Sequence, residues 1–134
     1  MRIGVLLNHE LPHQVLHAAP IACELSRRYP QLDILILTSR KKTERLLNRV
    51  LALYPDHRCR VKRLRQSHGK HLLARMVNPI FHPGKVMRLM ANRDLLRDCD
   101  ALITPEKTSL IIKNDPELQD IKLIHTRHGA GDRA

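Results

Sequence analysis

The chain has 134 residues, of which 43% are hydrophobic, and it carries a formal net charge of +11. This length supports one domain with its own core, whereas two Tyr and one Phe are too few aromatic side chains for a binder of single-stranded nucleic acid. Three widely separated cysteines fit neither a disulfide framework nor a zinc site, and no segment resembles a signal peptide or a membrane span, so we expect a cytoplasmic protein.

The first part of the chain predicts a strand, a helix and a second strand. Short apolar runs at residues 3–7 and 32–38 are typical of strands buried on both faces. Between them, apolar residues at helical spacing predict a helix over residues 13–29. Pro20 lies inside this pattern and indicates either a kink or a helix proper that begins near Ala19.

The middle of the chain predicts a second helix, an edge strand and a helical insert. Residues 41–54 carry a Leu and Val stripe at helical spacing, and residues 60–65 alternate as an edge strand does. Residues 66–98 then depart from simple alternation, because their apolar and basic residues mix at helical spacing and prolines divide them into two pieces. We therefore expect a basic amphipathic helical insert.

Positive charge is concentrated around this insert. Residues 58–97 contain 11 Lys and Arg and one acid, Asp94, a balance that favours an anionic partner. An amphipathic basic segment can lie on an anionic membrane surface, although the same pattern also fits a core-facing helix with a solvated basic face. The residues predicted to contact a membrane or a polyanion are Lys70, Arg75, Met76, Ile80, Phe81, Lys85 and Arg88.

The last part of the chain adds a strand, a short helix and a final strand. Residues 101–104 predict a buried strand, and Thr104 is the expected N-cap of a helix that runs from Pro105 to Lys113. Residues 121–126 predict the fifth strand. The complete order predicts an α/β fold: a doubly wound, mainly parallel, five-stranded Rossmann-like sheet.

Candidate functional residues follow the predicted strands, where the ligand crevice of an open parallel sheet forms. Histidines after the first strand could accept a proton from a hydroxyl nucleophile. The terminal glycines permit backbone N–H groups to turn toward an anion, and the basic and acidic residues beside them could clamp a phosphate or orient a base. The candidates are His9, His13, His17, Glu106, Thr108, Ser109, His128, Gly129, Gly131, Asp132 and Arg133. The sequence carries no nucleotide fingerprint or zinc spacing, so we expect neither cofactor nor metal.

Residues 123–133 resemble a known motif. The run LIHTRHGAGDR is similar to the His-Gly motif that ends the amino-terminal domain of bacterial transferases related to CDP-glycerol glycerophosphotransferases. These share the two-domain GT-B architecture with nucleotide-sugar glycosyltransferases and UDP-N-acetylglucosamine epimerases. The loop 8–17 with Pro20 likewise resembles the His-x-x-Pro entry to the first helix of many GT-B enzymes. Arg127 departs from the motif, in which a large apolar residue usually precedes His-Gly.

The resemblance implies a function. Residues 1–134 would form an acceptor-type domain, without the carboxyl-terminal domain that binds a nucleotide-sugar or CDP-glycerol donor, and the isolated chain would be inactive. His128 becomes the leading catalytic base and His13 the second candidate. Such transferases act in cell-envelope polysaccharide synthesis, peripherally on the inner face of the membrane. The alternatives are a non-catalytic module that binds anionic lipid or nucleic acid, and half of a UDP-sugar epimerase.

Overall fold

The computed structural model describes residues 1–8, 12–66 and 83–126. Five strands form one parallel sheet in the order β3-β2-β1-β4-β5. This confirms the predicted fold class, and it also confirms the third strand as an edge strand. The strands are β1 (Arg2–Leu7), β2 (Asp33–Thr38), β3 (Arg60–Arg63), β4 (Ala101–Thr104) and β5 (Lys122–His125).

Helices cover both faces of the sheet. On one face, α1 (Pro12–Arg28) and α2 (Lys41–Leu51) pack on the odd-numbered residues of β1, including Val5. On the other face lie α3 (Pro83–Ala91), α4 (Arg93–Arg97) and a 3₁₀ helix (Lys107–Asn114), which pack around Leu6 and its neighbours. The three central strands, β1, β2 and β4, are continuous apolar runs because both of their faces are covered.

Helix α1 is continuous through Pro20, so the predicted alternative of a helix that begins near Ala19 is wrong. Pro20 has no N–H to donate to the carbonyl of Leu16, four residues earlier. Leu16 is 54% exposed, so water can reach this part of the helix surface. The lost hydrogen bond is therefore tolerated on the solvent side.

The helix after β4 starts later than predicted. It is a 3₁₀ helix that begins at Lys107 and has Glu106 as its N-cap residue. Thr104 does accept a hydrogen bond from the backbone N–H of Glu106, at 3.2 Å through its Oγ1. That bond forms a tight turn at the end of β4, which delays the helix by two residues and directs Glu106 inward.

The predicted insert has two described helices, α3 and α4, and residues 67–82 lie outside the described residues. Leu64, just past β3, is buried among the residues of the second face, with an exposed fraction of 1%. Its backbone N–H donates to the carbonyl of Thr38.

Within the described residues, no helix is both long and apolar enough to cross a membrane.

Candidate functional site

The carboxyl ends of β1 and β4 lie side by side in the middle of the sheet. From β1 the chain continues to β2 on one side, whereas from β4 it continues to β5 on the other. The two connections diverge at this point, so it is the topological switch point, where open α/β sheets bind their ligands. We refer to the edge formed by all five strand ends as the carboxyl edge.

Asn8 leaves β1 at the switch point and is fully buried. Its side-chain oxygen accepts a hydrogen bond from Nη1 of Arg88 at 3.0 Å, and its side-chain nitrogen donates to the carbonyl of Lys85 at 3.4 Å. Helix α3 is thus attached to the end of β1 through one amide. Arg88 is only 8% exposed, so a guanidinium lies inside the crevice rather than on the surface.

Glu106 faces the same place from the end of β4. Its carboxylate is 5% exposed and lies 2.5 Å from Nζ of Lys85, whose side chain is 13% exposed. The hydroxyl of Ser109 lies 3.5 Å from the other carboxylate oxygen. Burying a carboxylate is costly unless it is paired and hydrogen-bonded, and both conditions hold here. We call Asn8, Lys85, Arg88, Glu106 and Ser109 the switch-point cluster.

Helical spacing explains how α3 supplies two of these groups. Lys85 and Arg88 are three residues apart and therefore share one face of α3, while Leu89 packs into the core beside it. Asn92 holds the end of the helix: its side chain donates to the carbonyls of Arg65 and Arg88 and accepts from the N–H of Arg65. Arg65, just before the insert, and the end of α3 are therefore fixed to each other.

The sequence predicts Lys85 and Arg88 as contacts to a membrane or a polyanion, and the structure places them differently. Both turn toward the carboxyl edge, and Lys85 is neutralised by Glu106. Glu106 and Ser109 lie in the switch-point cluster, at the strand end where the sequence places them, and their role in binding stays a prediction. Thr108 lies beside them in the 3₁₀ helix and is partly exposed.

The remaining predicted residues divide into two groups. His13 and His17 lie on the exposed face of α1, four residues apart and thus on the same side of its first turns. The others fall outside the described residues: His9, Lys70, Arg75, Met76, Ile80, Phe81, His128, Gly129, Gly131, Asp132 and Arg133. Their predicted roles stay predictions.

Several buried polar atoms at the carboxyl edge have no hydrogen-bond partner in the part of the chain that the structure describes. Buried polar groups are almost always paired, so each such atom requires an explanation. They come from the first turn of α1, the last residue of β2, the residue after it, and the residue that follows β5. The atoms are Oε1 of Gln14, Oγ1 of Thr38, Oγ of Ser39 and Oγ1 of Thr126. Their common location favours a ligand at this edge.

Two polar residues of this edge, Asn8 and His125, are not among the candidates that the sequence analysis names. Asn8 follows a buried strand, which is the pattern that could have identified it. Nδ1 of His125 lies 3.0 Å from the carbonyl oxygen of Thr104, to which an N–H at this position donates, and so links the ends of β4 and β5. Lone residues of these types are common in sequences, and only the strand order shows that both lie at the carboxyl edge.

The concentrated positive charge of residues 58–97 is partly neutralised in space. Arg60 contacts Asp33 at 2.5 Å, Arg63 contacts Glu44 at 2.5 Å, and Arg93 contacts Asp115 at 2.7 Å. The acids come from other parts of the chain, so a count along the sequence does not detect them. The described part of this region is therefore a weaker attractant for a polyanion than its composition indicates.

The cysteines are free thiols, and none is placed for nucleophilic chemistry. Burial raises the pKa of Cys23 to about 12 and that of Cys99 to about 11, and it also raises the pKa of Cys59. A thiol needs a lowered pKa to attack at neutral pH. Across the described ranges, no group of three or more His, Cys, Asp or Glu side chains is arranged to hold a metal ion.

Comparisons with protein-family models, with curated proteins and with solved structures found no match to this chain.

Proposed function

We propose that this chain is the acceptor-binding domain of a transferase of the GT-B architecture. In this proposal a glycosyl or glycerol-phosphate group moves from a nucleotide-diphosphate donor to a phosphorylated acceptor in cell-envelope polysaccharide synthesis. The observation that carries the proposal is the switch-point cluster, in which two cations, a carboxylate and an amide meet at the ligand crevice of a parallel sheet.

The cluster suits a polar acceptor that carries both phosphate and hydroxyl groups. Arg88 presents a planar guanidinium, the side chain that binds phosphate oxygens in a bidentate manner. Glu106 is an acceptor for a hydroxyl donor, and Nζ of Lys85 lies 2.5 Å from its carboxylate beside the crevice. Asn8 orients Arg88. A catalytic base comes in this proposal from the histidines, with His128 first and His13 second, as the resemblance of residues 123–133 implies.

The location of the unpaired polar atoms also supports an acceptor site at the carboxyl edge. An acceptor polyol offers several hydroxyl groups, each of which donates and accepts hydrogen bonds. Gln14, in the first turn of α1, supplies one such buried oxygen at the carboxyl edge. A ligand that satisfied it would remove the cost of leaving it unpaired, which adds to the ligand's affinity.

Binding to the switch-point cluster can be tested directly. The chain would be titrated with glycerol 3-phosphate and with phosphorylated sugars, by calorimetry and by amide shifts in nuclear magnetic resonance spectra. We expect shifts at Asn8 and Glu106, and an affinity that falls about tenfold or more in Arg88→Gln and Glu106→Gln, as loss of a charged hydrogen bond predicts. Arg93→Gln, which removes an equal charge from the same region, is the matched control.

Absence of binding at millimolar ligand would contradict the proposal, as would binding that Arg88→Gln and Glu106→Gln leave unchanged in folded protein. Circular dichroism of each variant shows whether it is folded. The epimerase alternative differs in its ligand, because an epimerase acts on the sugar nucleotide alone. Tighter binding of UDP-N-acetylglucosamine than of any phosphorylated acceptor would favour it.

A further inference from the structure

The start of helix α2 combines an uncapped helix terminus with an unpaired buried hydroxyl. The N-cap residue, Arg40, has extended backbone angles and makes no side-chain capping hydrogen bond. The helical ladder begins where the N–H of Glu44 donates to the carbonyl of Arg40 at 3.0 Å. The amides of the first turn before it therefore point out of the helix end, where the helix dipole favours an anion.

A second, independent observation comes from the residue just before the N-cap. Ser39 is fully buried, and its Oγ has no hydrogen-bond partner among the described residues. The Oγ1 of Thr38, the last residue of β2, is in the same state. Two adjacent buried hydroxyls without partners at a helix N-terminus indicate that a ligand supplies the missing acceptors or donors.

Side-chain charge at this terminus is positive. Lys41 and Lys42 lie in the first turn and are exposed. The carboxylate in that turn, Glu44, is held by Arg63 through Nε at 2.7 Å and Nη2 at 2.5 Å, so it opposes an anion less than a free carboxylate would. Backbone, dipole and side chains thus all favour a negatively charged group here.

A groove between α1 and α2 lies beside this terminus, because Lys42 and Thr43 of the first turn of α2 line it. Its volume is about 300 Å³, and apolar groups of Pro12, Val15 and Leu46 line it. Lys42, Arg45 and Arg49 also line it, at spacings of three and four residues that place them on one face of α2. None of these three cations has an ion-pair partner in the described ranges. A groove that is apolar inside and cationic around its border suits an anion attached to an apolar group.

We propose that the N-terminus of α2 is a phosphate-binding site that takes a phosphomonoester carrying an apolar group. The phosphate contacts the first-turn amides, Ser39 and Lys42, and the apolar group lies against Val15 and Leu46. This site differs from the switch-point cluster: it is at the end of β2 rather than between β1 and β4. It does not depend on any transfer reaction.

The probes for this site are inorganic phosphate and hexyl phosphate, titrated into the intact chain by calorimetry. Burial of the hexyl chain should make hexyl phosphate bind at least about tenfold more tightly than inorganic phosphate. Amide resonances of Lys41, Lys42 and Thr43 should shift with both probes. Equal affinity for the two probes, or shifts elsewhere only, would overturn the proposal.

Three variants separate the parts of the site. Lys42→Met should weaken both probes by about tenfold, as expected for loss of a charged contact to phosphate. Leu46→Asn should weaken hexyl phosphate and leave inorganic phosphate unchanged. Lys122→Met, which removes an exposed lysine from β5, is the matched control and should alter neither. Any other ranking of the three variants counts against the assignment.

Ser39→Ala provides a readout that a purely structural serine would not give. Because its hydroxyl is buried and unpaired in the free protein, its removal should raise the melting temperature in phosphate-free buffer. The same change should lower the affinity for both probes. A lower melting temperature together with unchanged affinity would overturn the proposal. Glu106→Gln should leave these affinities unaltered, so failure of this site and failure of the acceptor site are distinguishable.

Discussion

At the scale of single residues, Asp33 shows how charges distant in the sequence become coupled. It begins β2, and its carboxylate contacts Arg60 at 2.5 Å and Arg2 at 2.7 Å. Hydrogen bonds from Arg60 and Arg2 lower the pKa of Asp33. Both neighbours reach it because β1 and β3 flank β2 in the sheet. The ion pairs therefore hold the three strands together at one end.

This coupling predicts a pH dependence of stability. A carboxyl whose pKa is lowered on folding stabilises the protein above its unfolded pKa of about 4, and that stabilisation is lost as the pH falls through the lower folded value. Asp33 is 34% exposed, so solvent screening keeps the effect small. Asp33→Asn should lower the free energy of unfolding by about 0.5–1 kcal/mol at pH 7.

Urea denaturation at pH 7 and at successively lower pH measures this difference. The gap in unfolding free energy between Asp33→Asn and the parent protein should narrow progressively as the pH falls below about 4 and through the lower folded pKa of Asp33. Asp56→Asn, at an exposed position, is the control and should leave stability unchanged. A gap that persists at low pH would show that Asp33 acts through something other than its charge.

At the scale of elements, side chains from β4 and from the residues just before it fill the space beside Gly4 of β1. A Cβ at Gly4 would lie 2.5 Å from Cδ2 of Leu102 and 3.1 Å from Sγ of Cys99. Leu102 is fully buried, so it has little space into which it can move. The glycine is thus explained by packing between neighbouring strands rather than by ligand binding.

Two glycine variants should therefore change stability in opposite directions. Gly4→Ala overpacks the core and should lower the free energy of unfolding by about 1–3 kcal/mol. Gly84→Ala, in α3, meets nothing within 4 Å and should raise it by about 0.5–1 kcal/mol through higher helix propensity. Chemical denaturation compares both with the parent. Partial recovery of Gly4→Ala by Leu102→Val would identify the clash as the cause, and equal stability of Gly4→Ala and the parent would refute it.

At the scale of the whole molecule, the switch-point cluster joins segments that are far apart in the chain. Lys85 comes from α3, Glu106 from the turn after β4, and Asn8 from the end of β1. These contacts attach the helical layer to the middle of the sheet. The proposed acceptor site and the start of α2 lie along the same edge, because all five parallel strands end there.

The buried pair should make an energetic contribution that depends on both partners. Lys85→Met or Glu106→Leu alone leaves a buried charge unpaired and should cost about 3–5 kcal/mol of unfolding free energy. The double variant should cost less than the sum of the two. The exposed pair of Asp94 and Arg97 is the matched control, for which coupling of at most about 0.5 kcal/mol is expected. Additive effects at Lys85 and Glu106 would mean that the pair is not coupled.

Much of the fold could be predicted from local patterns. The five strands and both long helices lie within a few residues of their predicted positions, because buried strands and amphipathic helices have periodicities that reflect the faces they bury. The misplaced boundaries have local causes. The hydroxyl of Thr104 forms a turn rather than a helix cap, and the exposed surface around Leu16 allows α1 to continue through Pro20.

The candidate site could be predicted only in part. Its position at the strand ends could be predicted from the alternation of strands and helices, and so could the presence of Glu106 and Ser109 there. The sequence could not distinguish Asn8, Thr38 and Ser39 as site residues, because polar residues occur at the ends of strands in every protein. The sequence also did not predict that Arg88 is buried, because a basic residue on an amphipathic helix usually lies on its solvated face.

The amino-acid sequence alone determined the fold class of this protein, because hydrophobic periodicity is a local property of the chain. Only the tertiary structure decided which charges are neutralised and which polar residues meet. Ion pairs such as Arg60 with Asp33 and Lys85 with Glu106 depend on strand order and on the approach of helix to sheet. Those distances arise from packing of the two apolar layers, which brings together residues that no spacing along the chain relates.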